Sequence, residues 1–135
     1  ANEIWIEAES SNLGKCRIPN SLYTKMKKAP ILEIIKTKNE RIDNLVNVYS
    51  QNTQNELKDA VNRISKRLGP QRTKEALVAI EKKEWANACI AMLDYYDRCY
   101  EYELKKTENI NSIDLTGLNL KSSLIKILNE KLNPL

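Results

Sequence analysis

A chain of 135 residues with 41% hydrophobic and 30% charged side chains has the make-up of one soluble domain or part of one, not of a disordered tail. Its formal charge of +4 permits an anionic partner without requiring one. The lack of His excludes imidazole acid–base chemistry and His-ligated metal, and three scattered Gly exclude a glycine-rich phosphate loop within these residues.

No apolar run approaches the ~20 residues that a membrane helix needs. No secretory signal pattern is visible, and Cys16, Cys89 and Cys99 form no C-x-x-C pair. Scattered thiols in odd number fit a reduced, cytoplasmic setting without membrane contact.

In chain order, Glu3–Glu7 is a β-prone segment, and Asn12–Lys15 reads as a loop. A domain seldom starts inside a strand, so the chain is expected to be a piece of a longer polypeptide. Pro19 suits the first turn of a helix carrying Leu22 and Met26. Ile31–Ile35 is a second strand. Thr37 and Glu40 have capping-box spacing, and Ile42, Leu45, Val46 and Tyr49 line the helix that follows. Ser50–Asn55 is polar and reads as a loop.

Leu57, Val61, Ile64 and Leu68 mark the next helix, Gly69 its C-terminal cap and Pro70 the start of its successor, with Leu77 and Ile80. A longer helix carries Trp85, Cys89, Met92, Tyr96 and Cys99 or Tyr100 on one stripe. Ile110–Leu115 is a third, weaker strand, broken by Thr116 and Gly117. Leu120, Leu124, Ile127 and Leu128 make a final helix ending near Pro134.

Strands alternating with helices imply a helix-rich α/β fold with a parallel sheet of about three short strands; the alternative is mainly α. Residues 1–54 read as β-α units, 55–106 as a helical insert and 107–135 as a last strand and helix.

Three groups can carry chemistry. Glu7 and Glu9 close the first strand, where acids in open α/β sheets hold Mg²⁺ or accept a proton; the plainer reading is a solvated turn. Arg63, Lys66 and Arg67 fall at i, i+3 and i+4, with Arg72 and Lys74 beyond the Gly-Pro break. They can grip phosphates or form a solvated basic face. Tyr95, Tyr96, Tyr100 and Tyr102 can stack on unpaired bases beside Lys105 and Lys106. Tyr96 and Tyr100 lie near the apolar stripe and read as core, which leaves Tyr95 and Tyr102 as the surface pair. Cys16 lies in a loop, but no His is available to activate it, and Cys89 falls on the core stripe.

Three segments taken together resemble a known family. Trp5, Glu7, Glu9 and Ser10, then Leu13-Gly14 and Ile18-Pro19, resemble W-x-E-x-E-S followed by L-P. Arg67 to Leu77 resembles R-L-G-x-Q-R-x-x-E-x-L, and Tyr95 to Tyr102 resembles Y-Y-D-x-x-Y-x-Y. These are features of the tRNA 2-selenouridine synthases, in the same order and at matching separations from about Ile4 to Lys106. The family's second acid in E-D-E-S is Ala8 here.

The resemblance implies a rhodanese-like domain joined to a P-loop domain, of which this chain resembles the later part. It implies an enzyme that replaces sulfur in wobble 2-thiouridine of tRNA by selenium. Selenophosphate supplies the selenium, and geranyl diphosphate forms a geranylated intermediate. The rhodanese segment with its Cys and the Walker A loop would lie in the parent protein, and the isolated chain would turn over nothing. No cofactor, metal or catalytic residue is then expected within these residues. Glu7, with Glu9, would be the Walker-B-like acid. Arg41 follows Glu40 in a Glu-Arg pair, as a structural cap or a phosphate contact. Arg63, Lys66, Arg67 and Arg72 would face tRNA or the prenyl diphosphate.

In a kinase-like P-loop sheet, the phosphate-loop strand lies between the strands expected at 3–7 and 31–35. Without it the sheet should be depleted or rearranged, or its edges covered by self-association. The rival is a non-enzymatic basic helical module that binds RNA or protein. A third reading, half of a nucleotide-kinase-like NTPase, predicts nucleotide turnover by the longer protein.

Overall fold

The computed structural model describes residues 3–8, 10–13 and 15–132. A short antiparallel pair, β1 (Asn12–Leu13) and β2 (Cys16–Arg17), precedes α1 (Asn20–Lys28) and β3 (Ile31–Ile35). Helices α2 (Lys38–Tyr49), α3 (Gln54–Arg63), α4 (Ser65–Leu68), α5 (Pro70–Glu81) and α6 (Trp85–Leu104) follow. The chain continues through β4 (Ile110–Asp114) and α7 (Leu120–Leu132).

Local chemistry sets most of these boundaries. Thr37 caps α2: its hydroxyl accepts from the Glu40 amide at 3.2 Å, and its own amide donates to the Glu40 carboxylate at 3.0 Å. Thr53 and Glu56 repeat the device on α3, at 3.2 Å and 2.9 Å. That second box starts α3 at Gln54, inside the stretch Ser50–Asn55 that reads as a loop. The turn from α5 to α6 closes with Glu84 N–H donating to Ala79 and Lys83 N–H to Ile80, a Schellman arrangement with Lys83 in the left-handed region.

Two expectations need correction. The stripe from Leu57 to Leu68 is not one helix: the chain bends at Ile64 (φ −104°, ψ 6°), and α4 begins anew at Ser65. One tight turn at Ile64 keeps Val61 and Leu68 on the same buried side, so the apolar spacing survives the bend. Arg63 is thereby separated from Lys66 and Arg67, and the three no longer share one helical face.

The expected strand at residues 3–7 does not form. Ile4, Trp5 and Ile6 are 83%, 59% and 57% exposed. Among the described residues the parallel sheet has two strands, β3 and β4, in register from Ile31 opposite Ile110 to Ile35 opposite Asp114. A strand needs a neighbour to satisfy its backbone, and among the described residues none pairs with 3–7. The α/β, helix-rich architecture stands, with two parallel strands among the described residues where about three were expected.

The core lies in the helical part. Val61, Leu68, Ala76, Ala79, Ile80 and Ala88 form one buried cluster, with Leu57, Leu77, Trp85 and Met92 against it. Three alanines in that cluster let α3, α5 and α6 approach closely. The sheet is poorly covered by comparison: Ile113 is buried, but Ile34 is 57% exposed.

Candidate phosphate and nucleic-acid interface

Helix α2 presents Lys38 and Arg41, and α6 presents Asp94 and Asp97. Both pairs are three residues apart, so each lies on one helical face and the two faces meet. Lys38 Nζ reaches Asp94 Oδ1 at 2.9 Å. Arg41 gives a forked pair to Asp97: Nη1 lies 3.1 Å from Oδ2, and Nη2 bonds Oδ1. The Asp97 hydrogen bond raises the Arg41 pKa, against an opposing effect of burial. Asp94 is held below the usual carboxylate range, first by its Lys38 hydrogen bond and charge and to a lesser degree by Arg72 and Arg98. Arg72, in the first turn of α5, thus joins Lys38, Arg41 and Arg98 around two carboxylates.

The Gly69-Pro70 turn arranges the other basic residues. Lys66 and Lys74 line one cleft with Ser65, Pro70 and Thr73. Arg72 lines a second groove between α5 and α6, with Gln71, Asn87 and Asp94. Arg67 is exposed, and its charge acts on Tyr95. Arg63 is exposed at the end of α3. Lys66, Arg67, Arg72 and Lys74 therefore gather about one turn, and Arg41 is linked to them through Asp94 and Asp97.

The tyrosines exchange places with expectation. Tyr95 packs against the helical core and meets Tyr96 edge-on at 5.3 Å between centroids. Burial pushes its hydroxyl pKa up, with Cys99 adding to the effect. Tyr96 and Tyr100 are 40% and 53% exposed. The core meets α6 over a broader arc than the single stripe inferred from spacing, and that arc takes in Tyr95. Tyr102 is 61% exposed, with Lys106 Nζ 3.8 Å from its ring centroid.

Glu7 is exposed in segment 3–8, which has no regular secondary structure and lies outside the sheet, and Glu9 lies outside the described residues. The carboxyl end of the ladder is instead occupied by Glu40, which accepts from the Gly117 amide at 2.6 Å, and by Lys36, whose Nζ donates to the Leu118 carbonyl at 3.0 Å. Burial pushes the Cys89 thiol up, away from nucleophilic use. Among the described residues no group of three or more Cys, Asp or Glu side chains is placed to hold a metal ion. No helix among them is long and apolar enough to cross a membrane.

Sequence reasoning missed Lys38, Asp94, Asp97 and Arg98. Their signal was the matched spacing of two cations on one helix and two carboxylates on another.

Glu40, Glu56, Asp94 and Asp114 all sit below their ordinary values of 4.5, 4.5, 3.8 and 3.8. The leading causes are the Gly117, Thr53, Lys38 and Thr116 hydrogen bonds respectively. A depressed carboxylate stabilises the fold above its unfolded value and loses that effect as pH falls through its folded value. The thermal midpoint, followed by circular dichroism, is expected to hold between about pH 7 and 5 and to fall below about pH 4. A midpoint that rises on acidification would contradict these hydrogen bonds.

A tRNA 2-selenouridine synthase from Marinobacter nauticus (strain ATCC 700491 / DSM 11845 / VT8) is 27% identical over 136 residues, covering 78% of this chain and 36% of that protein. The chain thus spans about a third of the length of that curated relative. No solved structure gives a significant match. Residues 1–117 match the family described as the tRNA 2-selenouridine synthase AAA domain, and the chain belongs to that family.

Proposed function

We propose that this chain is the phosphate- and tRNA-gripping part of a cytoplasmic tRNA-modifying transferase, the enzyme that turns wobble 2-thiouridine into 2-selenouridine. The observation that carries the reading is the gathering of Lys66, Arg67, Arg72 and Lys74 around the Gly69-Pro70 turn, next to the cations Lys38, Arg41 and Arg98. Such a surface attracts a polyanion and holds it by charge and forked hydrogen bonds. It supplies no nucleophile or base.

In the parent protein a rhodanese-like segment and a P-loop segment supply the chemistry. Selenophosphate and geranyl diphosphate are the co-substrates, and sulfur leaves through a geranylated intermediate. This region contributes binding and orientation, and alone it turns over nothing. The upstream P-loop strand would pair with the side of β3 that β4 does not take; a second copy of the chain is the alternative cover for that edge.

The test is tRNA binding over a salt series. The double change Arg67→Glu and Arg72→Glu is expected to weaken binding at least about tenfold and to lower the salt slope by about two. In the parent enzyme the same change should raise KM for thiouridine tRNA more than it lowers kcat. Unchanged affinity and slope would remove the basis of the reading.

A further inference from the structure

Far from the Gly-Pro turn in sequence, α1 meets the end of α6 through an unbroken row of contacts. Lys27 Nζ lies 5.6 Å from the Tyr23 ring centroid and 3.3 Å from Glu103 Oε2. Lys106 Nζ lies 3.8 Å from Glu103 Oε1 and 3.8 Å from the Tyr102 ring centroid. The order across the surface is Tyr23, Lys27, Glu103, Lys106, Tyr102. One carboxylate bridges two ammonium groups, and each ammonium caps one ring. The side chains of Lys27, Glu103 and Lys106 are about half exposed, at 48%, 56% and 50%.

We propose that this row is a second nucleic-acid contact, one that takes an unpaired stretch of RNA, with Glu103 holding the place of a phosphate until the RNA arrives. The proposal rests on the reading that the chain's ligand is RNA. Exposed ion pairs contribute little to stability, so folding alone gives small reason for the arrangement. A backbone phosphodiester offers Lys27 and Lys106 the same kind of anionic oxygen acceptors as Glu103, at the same single charge. When Lys106 turns to a phosphate, it uncovers the face of Tyr102. That face is then free to stack on a base. A duplex hides its base faces, so the site favours single strands. An acidic peptide could satisfy the lysines but has no planar group for the ring.

The experiment measures fluorescence anisotropy of a labelled, unstructured RNA of about 12 nucleotides, a length suited to one such surface. The same chain is titrated with a duplex of equal length and with tRNA. Tyr102→Ala is expected to weaken single-strand binding about tenfold and leave duplex binding unchanged, and Tyr102→Trp to retain it. Glu103→Gln should tighten binding severalfold, and more than Glu108→Gln, which removes the same charge outside the row.

The proposal is overturned if Tyr102→Ala has no effect, if Glu103→Gln matches Glu108→Gln, or if an acidic peptide of equal charge competes as well as the RNA. Should tRNA still bind in any of these cases and depend on Arg67 and Arg72, the row fails and the broader reading stands. Should the unaltered chain bind neither tRNA nor single strands, both fail together.

Discussion

Leu68→Ala is expected to unfold the α3–α6 half of the chain at temperatures where the unaltered chain is folded. Leu68 is 1% exposed and belongs to the largest fully buried side chains, with Val61 and Ile113. It sits in the cluster formed by Val61, Ala76, Ala79, Ile80 and Ala88. Three alanines there have no side chain with which to fill the space a leucine leaves. Collapse around the cavity is therefore limited, and the loss should be about 3–5 kcal/mol, in the upper part of the range for such truncations. A domain of this size has roughly 5–15 kcal/mol in all. This one belongs at the low end, because Ile4, Trp5, Ile34, Leu120 and Leu128 remain more than half exposed. Urea unfolding should show the midpoint falling with the slope unchanged. Leu124→Ala, at a side chain 52% exposed, is the control and should cost no more than about 0.5 kcal/mol. A loss at Leu68 no larger than at Leu124 would contradict the packing described here.

The helices were legible because their signals are local. The Thr37–Glu40 box and the Gly69-Pro70 pair name their own boundaries, since the groups that cap a helix lie within a turn of its end. The strand at 3–7 misled for the converse reason. Glu3 to Glu7 has the β-prone composition of a strand, but a strand exists only when another pairs with it, and composition says nothing about that neighbour. Ile31–Ile35 shows the other outcome: β4 joins it five residues for five.

Part of the interface was legible and part was not. Arg67, Arg72 and Lys74 lie within eight positions, so a turn brings them together whatever the rest of the chain does. The Lys38–Asp94 and Arg41–Asp97 pairs join residues 56 positions apart. Their matched spacing becomes visible only once α2 is known to lie on α6. The error over Tyr95 and Tyr96 is one of about 100° around a helix axis. The side on which a broad apolar arc ends depends on neighbouring helices, and α3 and α5 extended it toward Tyr95.

Gly69→Ala is the change expected to couple stability to binding. Gly69 has φ +90° and ψ 159°, a backbone state open in practice to glycine alone. A methyl group built there meets nothing within 4 Å, so crowding contributes nothing and the whole cost lies in the backbone. That cost is about 1–3 kcal/mol, or a fall of roughly 5–10 °C in Tm for a chain of this length. Gly69→Asn should be no milder, because asparagine tolerates positive φ near ψ of about +45° and not in this extended region. Relief requires φ to become negative, which swings α4 against α5. Lys66 on α4 and Lys74 on α5 then no longer line one cleft, and Arg67 shifts relative to Arg72. The variant should bind tRNA more weakly even where circular dichroism shows it fully folded. The Pro70→Ala variant keeps the glycine and should retain both affinity and most of the stability. If Gly69→Ala keeps full affinity at such a temperature, the turn serves packing alone and the basic residues act without a fixed arrangement.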